Sequence, residues 1–457
     1  MTSLKRQLVE GVFLFSSTRL IVTLLNFITA VVLIRNLGIF EYGLFVLAFS
    51  FYTILSSFLD PGVGGVVLSD ASAAFGEKKY SKVKTLLKSY AKFEVFVSLI
   101  LFLVLLITSF SLRYTYGELV LSLLVAVGVY IFTTSIYNSI SEIFHALSEF
   151  RKYNAILMSE AIFKFILTSI FIGILEEGIL FAMYIYIIAQ VISLLIVVPS
   201  IFRVMEKFKK YPSTNEPLFT KMIASHGKWV IFYFPLKKLG SEAHYWIVQL
   251  LLGVNAVALL GAAMRGLNFL KVFLTAFQDV LFPLTASVIK NWKKAKYMIT
   301  KSTKYNLWIA FILCIPTIVF APLIVETIFS GKYINTVPVF RILLPSLITT
   351  SLGVIKPLFY ALKKQKYLFY AGLVANVLLV ILDCIFITIL GLVGVGISMF
   401  IASFTSFLIK YRFIKKFKPD FALGLKNIFW VDEFDKKQLR SILRKISCRI
   451  KYRFLRL

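Results

Sequence analysis

Acidic residues are scarce in this chain. Its 457 residues include 22 Asp and Glu against 51 Lys and Arg, with three His and three Cys. Cys314, Cys384 and Cys448 stand far apart, two of them inside apolar runs, so neither a disulfide framework nor a metal site has the spacing it needs. P-loop, GxSxG and HExxH patterns are all missing, which removes sequence support for an ATP-driven pump or a hydrolase; no cofactor is called for. Charge of any sign is low: 16% of residues are charged and 59% hydrophobic, against roughly 25% and 45–50% in soluble domains. A soluble fold is thereby excluded. The net charge of +29 would suggest nucleic acid in a soluble chain, but here the basic residues form short clusters between apolar runs, and no nucleic-acid partner is expected.

Apolar runs dominate what remains, and the chain reads as an all-α polytopic membrane protein. Taking about 20 apolar residues as one crossing, twelve spans are expected near 8–34, 42–67, 90–111, 119–140, 156–175, 179–202, 229–252, 255–286, 304–329, 338–362, 367–390 and 393–413. The first run lacks a small-residue cleavage site and reads as a span, not a removable signal. Every second loop is basic: Lys78, Lys79, Lys82, Lys84 and Lys88 after span 2, Arg203, Lys207, Lys209 and Lys210 after span 6, Lys293, Lys294 and Lys296 after span 8, Lys363, Lys364 and Lys366 after span 10. The loop after span 4 is mixed, and the intervening loops are acidic or nearly uncharged, as at Glu176 and Glu177. Cytoplasmic loops carry the Lys and Arg excess. A multi-pass protein of the plasma (cell) membrane with both termini cytoplasmic is the expectation.

The chain also repeats itself. LGIFEYGLFVLA from Leu37 matches LGVNAVALLGAA from Leu252, with Gly38 and Gly253 215 residues apart; the same offset sets Lys78 and Lys79 on Lys293 and Lys294, and Tyr90 on Tyr305. Two parallel six-helix lobes follow, 1–210 and 211–416, related by an axis along the membrane normal. Residues 417–457 form a basic tail suited to an amphipathic helix or two on the anionic inner membrane surface.

Some charges sit where apolar residues are expected. Span 7, WVIFYFPLKKLGSEAHYWIVQLLL, carries Lys237, Lys238, Glu242 and His244 in its middle. Each charge at a span centre costs roughly 2.5–3.5 kcal/mol, so such groups normally face a wet cavity or a partner. Pro235 and Gly240 flank the lysines and predict a bend or an unwound turn. The competing reading is a shallow span with the lysines snorkelling to the cytoplasmic surface. Arg19 in span 1, Lys164 in span 5, and Arg265 and Lys271 in span 8 complete the candidate substrate-binding cations, together with Lys237 and Lys238. Candidate ion-coupling groups are Asp60, Glu242, His244 and Asp383. For any one of them a structural salt bridge is an equal alternative. As a set, a chamber lined mainly by Lys and Arg suits an anion with phosphate oxygens.

Finally, IRNLGIFEYGLF after span 1, FLDPG at Phe58–Gly62, LFPLTAS from Leu281 and IFSGKYINTVPVFRIL from Ile328 resemble the polysaccharide transporter family of lipid-linked oligosaccharide flippases, which includes O-antigen flippases. That family lies in the superfamily that also holds the lipid II flippase and multidrug and toxin extruders. The resemblance implies two six-helix lobes around a central cavity lined chiefly by spans 1, 2, 7 and 8, alternating between the two sides of the membrane. It implies transfer of a polyprenyl-phosphate- or diphosphate-linked glycan to the outer leaflet for cell-surface glycan assembly. It places Arg265, in AAMRGLNF, where similar proteins often carry a basic residue, and Asp383 where relatives often have Asn. A basic residue that the lipid II flippase pattern has near Thr29 is absent. H+ or Na+ counter-ions, a functional monomer and glycan-assembly enzymes as partners are further expectations. A drug or toxin exporter of the same superfamily is the alternative reading. A glycosyltransferase fits poorly with such short outer loops.

Overall fold

A backbone inside hydrocarbon must satisfy its own hydrogen bonds, so apolar runs of this length become helices. The computed structural model describes residues 2–60, 63–111, 117–212, 228–289, 291–362, 364–423 and 435. All regular structure among them is helical: α1 Thr2–Asn36, α2 Ile39–Leu59, α3 Val63–Gly76, α4 Tyr80–Ser111, α5 Glu118–Ala146, α6 Phe150–Phe171, α7 Ile179–Lys209, α8 Lys228–Leu252, α9 Val254–Val288 and α10 Trp292–Val319. A bent pair follows, α11 Gly331–Leu343 and α12 Ser346–Ala361, at 45°. The last two are α13 Lys366–Leu390 and α14 Leu392–Phe417. Among the described residues, ten helices are long and apolar enough to cross a membrane and the bent pair makes an eleventh. α8 is equally long, but Lys237, Lys238 and Glu242 set it apart.

Three expectations about continuity need correction. Span 2 is not one helix over 42–67: α2 stops at Leu59 and α3 begins at Val63. Asp60 lies between them and accepts the Gly64 N–H at 2.7 Å, so its carboxylate serves a first-turn donor of α3. Span 10 is likewise split by the bend between α11 and α12. Span 7, by contrast, lacks the expected unwound turn: α8 is helical throughout, with Pro235 inside it. Gly240 there has another use, since a Cβ would lie 2.7 Å from Cβ of Asn376 on α13; it lets two helices approach closely. Spans 3 and 9 begin earlier than expected, α4 from Tyr80 and α10 from Trp292, and α10 ends at Val319, short of the expected 329. The tail expectation for 417–457 falls largely outside the described residues, as does the loop at 213–227.

The internal repeat is visible in the packing. α6 on α7 is matched by α13 on α14, α1 on α6 by α8 on α13, and α2 on α8 by α1 on α9. The two lobes meet where α2 lies along α9. Val46 and Gly261, equivalent under the 215-residue offset, face each other there: a Cβ on Gly261 would sit 2.6 Å from Val46 Cγ2. Two equivalent positions in contact mark the pseudo-twofold axis. Gly38 and Gly253, the repeat's signature, precede α2 and α9 at the same end of the bundle. Gly253 has φ +84°, which glycine alone adopts cheaply.

At that end the lobes are also tied by polar contacts. Lys332 donates to the Arg35 and Leu37 carbonyls at 2.7 and 2.8 Å, and Arg35 Nη1 donates to the Thr327 carbonyl at 2.8 Å. A lysine on terminal helix carbonyls also complements the helix dipole. At the opposite, basic end, Asp435 of the tail is buried against α10. It accepts from Lys301 Nζ at 2.8 Å, from Tyr305 at 2.6 Å, and from Lys304.

Two predictions follow from this packing. Gly43 meets the Val254 carbonyl oxygen, 2.3 Å from where a Cβ would lie, so Gly43→Ala must push α2 off α9. It should lower stability by about 1–3 kcal/mol in detergent thermal unfolding, whereas Gly65→Ala, with nothing within 4 Å, should be neutral or better. Asp435→Asn removes a charge that balances the buried Lys304 ammonium and should speed tryptic cleavage of the tail.

Candidate functional site

A cation inside a bilayer protein must be neutralised, hydrogen-bonded or wet. That requirement sorts the basic residues. Lys164 is buried on α6 and already engaged: it forms an ion pair with Glu160 one turn earlier, donates to Asn26 Oδ1 of α1 at 3.3 Å, and lies 4.7 Å above the Tyr186 ring. This is a cross-brace from α6 to α1 and α7. Arg19 is exposed on α1, where its carbonyl accepts the Thr23 hydroxyl at 2.8 Å.

The lobe interface holds a polar cluster. Arg265 lies 11 residues into α9, about 16 Å along its axis at 1.5 Å per residue, near mid-bilayer depth. Half-buried, it stands within electrostatic reach of the hydroxyls of Tyr42 on α2, Tyr186 on α7 and Tyr245 on α8. Glu242 lies beside the Ser50 hydroxyl and near both Arg265 and Lys238. Trp246 Nε1 donates to Ser50 Oγ at 3.1 Å, fixing α8 on α2. Elements α2, α7, α8 and α9 therefore converge on one arginine, one carboxylate and several aromatic hydroxyls. Phe27 of α1 stacks on Phe269 of α9 at 4.3 Å, four residues beyond Arg265.

The remaining residues of α8 and α9 divide between two faces. Lys238 is exposed, with its carbonyl taken by Ser241. His244 is buried on the same helix, neither ring nitrogen having a hydrogen-bond partner, with Lys271 of α9 in electrostatic reach. Lys237 instead lines a cavity of about 1060 Å³ bounded by α8, α12, α13 and α14. Lys356, Lys366 and Lys410 line it as well.

The carboxylates have different surroundings. Asp60 caps α3, as described. Asp383 is fully buried on α13, and both its oxygens lack hydrogen bonds; Ser398, opposite on α14, gives its hydroxyl proton to the Gly394 carbonyl. Asp279, a further acid near the inner end of span 8, has its side chain outside the described residues. Among the described residues no group of three or more His, Cys, Asp and Glu could hold a metal ion.

Two features escaped sequence reasoning. Glu94 is a fully buried acid on α4, accepting from Tyr90 at 2.8 Å and from Ser139 of α5 at 2.6 Å. A lone glutamate in the apolar stretch of α4 was the available signal. Lys410 stands in sequence near the end of the last expected span, just before the basic tail, and it donates into the bundle, to Ser406 at 2.7 Å.

Comparison with known proteins adds three findings. Residues 8–289 match the family described as polysaccharide biosynthesis protein. No curated protein matches the chain. Solved structures share the fold at low identity. An inward-facing multidrug resistance MATE family transporter of the MOP superfamily has a TM-score of 0.71 and 18% identity, covering 88% of this chain and 96% of that one. The lipid II flippase MurJ in an inward closed conformation has a TM-score of 0.70 and 16% identity, with 91% and 89% covered. A MOP superfamily transporter from Pyrococcus furiosus, noted for the reverse polarity of its binding pocket, has a TM-score of 0.65 and 18% identity, with 89% and 96% covered.

The bracing by Lys164 has a measurable signature. Lys164→Ala leaves Glu160 as a buried unpaired acid and should cost about 3–5 kcal/mol in thermal unfolding. The double substitution Lys164→Met with Glu160→Leu should recover most of that loss; failure to recover would mean that the lysine acts beyond the pair.

Proposed function

Because the chain belongs to the polysaccharide biosynthesis protein family, we propose that it is a lipid-linked oligosaccharide flippase. In this reading it carries a polyprenyl-phosphate- or diphosphate-linked glycan from the cytoplasmic to the outer leaflet by alternating access. The observation that carries the proposal is the interlobe cluster around Arg265, a guanidinium held near mid-depth by four helices from both lobes. A glycan head group cannot enter hydrocarbon, because its lost hydration is not replaced there. Between two lobes, tyrosine hydroxyls, Ser50 and Glu242 offer the sugar hydrogen bonds while Arg265 grips the phosphate with its planar fork. The lipid tail stays in the membrane.

The two ends of the bundle support alternation. The end bearing Gly38 and Gly253 is tied across the lobes by Arg35 and Lys332, and the basic end carries the lysine-lined cavity. With the basic end cytoplasmic, as its loops demand, the conformation is closed toward the outside. Outward movement of each uncompensated negative charge gains roughly 2.3 kcal/mol per 100 mV when the cytoplasm is negative. Coupling to H+ or Na+ would use His244 or Asp383, both buried and without hydrogen bonds. An organic-cation exporter has the same fold but matches this cation-rich interior poorly.

Flipping of a fluorescent polyprenyl-diphosphate glycan in reconstituted vesicles tests the reading. Arg265→Ala should reduce the rate at least about tenfold, the worth of one charge-assisted contact, while the protein still folds. Flipping should also accelerate when the lumen is made positive. Undiminished transport by the variant, or binding of organic cations in place of the glycolipid, would reject the proposal.

A further inference from the structure

We propose that the cavity between α8, α12, α13 and α14 is a separate docking site for the phosphate group of a membrane lipid. Its lining carries Lys237, Lys356, Lys366 and Lys410 and, among the described residues, no carboxylate. These lysines come from all four helices, so the convergence is tertiary. Lys237, Lys356 and Lys410 lie within electrostatic reach of one another. Like charges gathered in a partly desolvated space raise each other's energy, and an anion placed among them relieves it.

The donors available there suit phosphate oxygens. An ammonium has three N–H donors. Lys410 spends one on Ser406 Oγ, whose own hydroxyl goes to the Ala371 carbonyl, and this fixes the lysine against α14. Its other donors have no protein acceptor among the described residues, and Lys356 has no ion pair or hydrogen bond there. Arg265 faces the α2 side of the lobe interface, so the two cationic centres are distinct.

The rest of the lining selects a lipid over a soluble anion. Leu368, Phe369, Leu379, Met399 and Phe407 give apolar walls, and about 1060 Å³ exceeds what a lone phosphate fills. Tyr360 and Tyr370, both roughly half exposed, stand at the edge, the pairing of aromatic ring and hydroxyl that favours the membrane interface. The chemistry is a phosphate monoester or diphosphate carrying a hydrocarbon chain, taken up at the basic end. This deepens the flippase reading by adding an entry site below the interlobe cluster, and it rests on that reading only for the lipid's fate.

Equilibrium binding to the purified full-length protein in a nonionic detergent tests it, with farnesyl phosphate as probe. Farnesyl phosphate should bind, and farnesol should bind at least about tenfold more weakly, reflecting the lost charge-assisted contacts. The Lys356→Gln/Lys410→Gln variant should lose a similar factor while keeping its unfolding temperature, and Lys356→Arg/Lys410→Arg should restore binding. Phosphatidylglycerol competing with the probe would widen the site to phospholipids and support it. Inorganic phosphate binding as tightly as farnesyl phosphate would overturn the lipid assignment, and undiminished binding by the glutamine variant would overturn the site. Because no transport is involved, a protein that binds but does not flip would count against the flippase reading alone.

Discussion

Putting a positive charge where water is scarce is the constraint on which this architecture turns. The penalty is several kcal/mol per uncompensated ion, and the protein meets it in three ways. Lys164 is neutralised within its own helix by Glu160 and stacked on Tyr186. Lys301 and Lys304 share the carboxylate of Asp435, brought in from outside the bundle. Lys356 and Lys410 of the cavity have no ion pair among the described residues, and Arg265 and Lys238 both lie near Glu242 amid tyrosine hydroxyls. The first two solutions make structure. The third leaves attraction for an anion.

Symmetry and asymmetry between the lobes carry the same message. Close helix approach at Gly43, Gly240 and Gly261 allows van der Waals packing where no hydrophobic driving force exists between helices in lipid. The repeated contacts give both lobes one plan. Their polar contents differ. Tyr90 in the first lobe meets an internal acid, Glu94, whereas Tyr305, its counterpart, meets Asp435 from the tail. The second lobe thus borrows its carboxylate, and the tail is built into the fold at that point.

The proposed alternating access would need two ends that can exchange closed and open states. Arg35 and Lys332 hold the Gly38 end through backbone carbonyls, contacts made of few bonds and exposed to solvent. Such ties can be traded without disrupting the α2–α9 packing around Val46 and Gly261, which lies on the pseudo-axis and can act as a pivot.

Hydropathy, loop charge and the 215-residue repeat determined the membrane class, the all-helical architecture and the paired lobes, because these depend on local composition and period. The candidate cations were legible for the same reason: a lysine in an apolar run is conspicuous. Their partners were not. Lys164 braces α6 to Asn26 of α1 and Tyr186 of α7, Asp435 reaches back to Lys301 and Lys304 on α10, and Lys410 meets Lys356 and Lys237 from 54 and 173 residues away. Only the tertiary structure decided these, since a charge's role depends on what stands within a few ångströms of it, and in a bundle those neighbours come from helices remote in sequence.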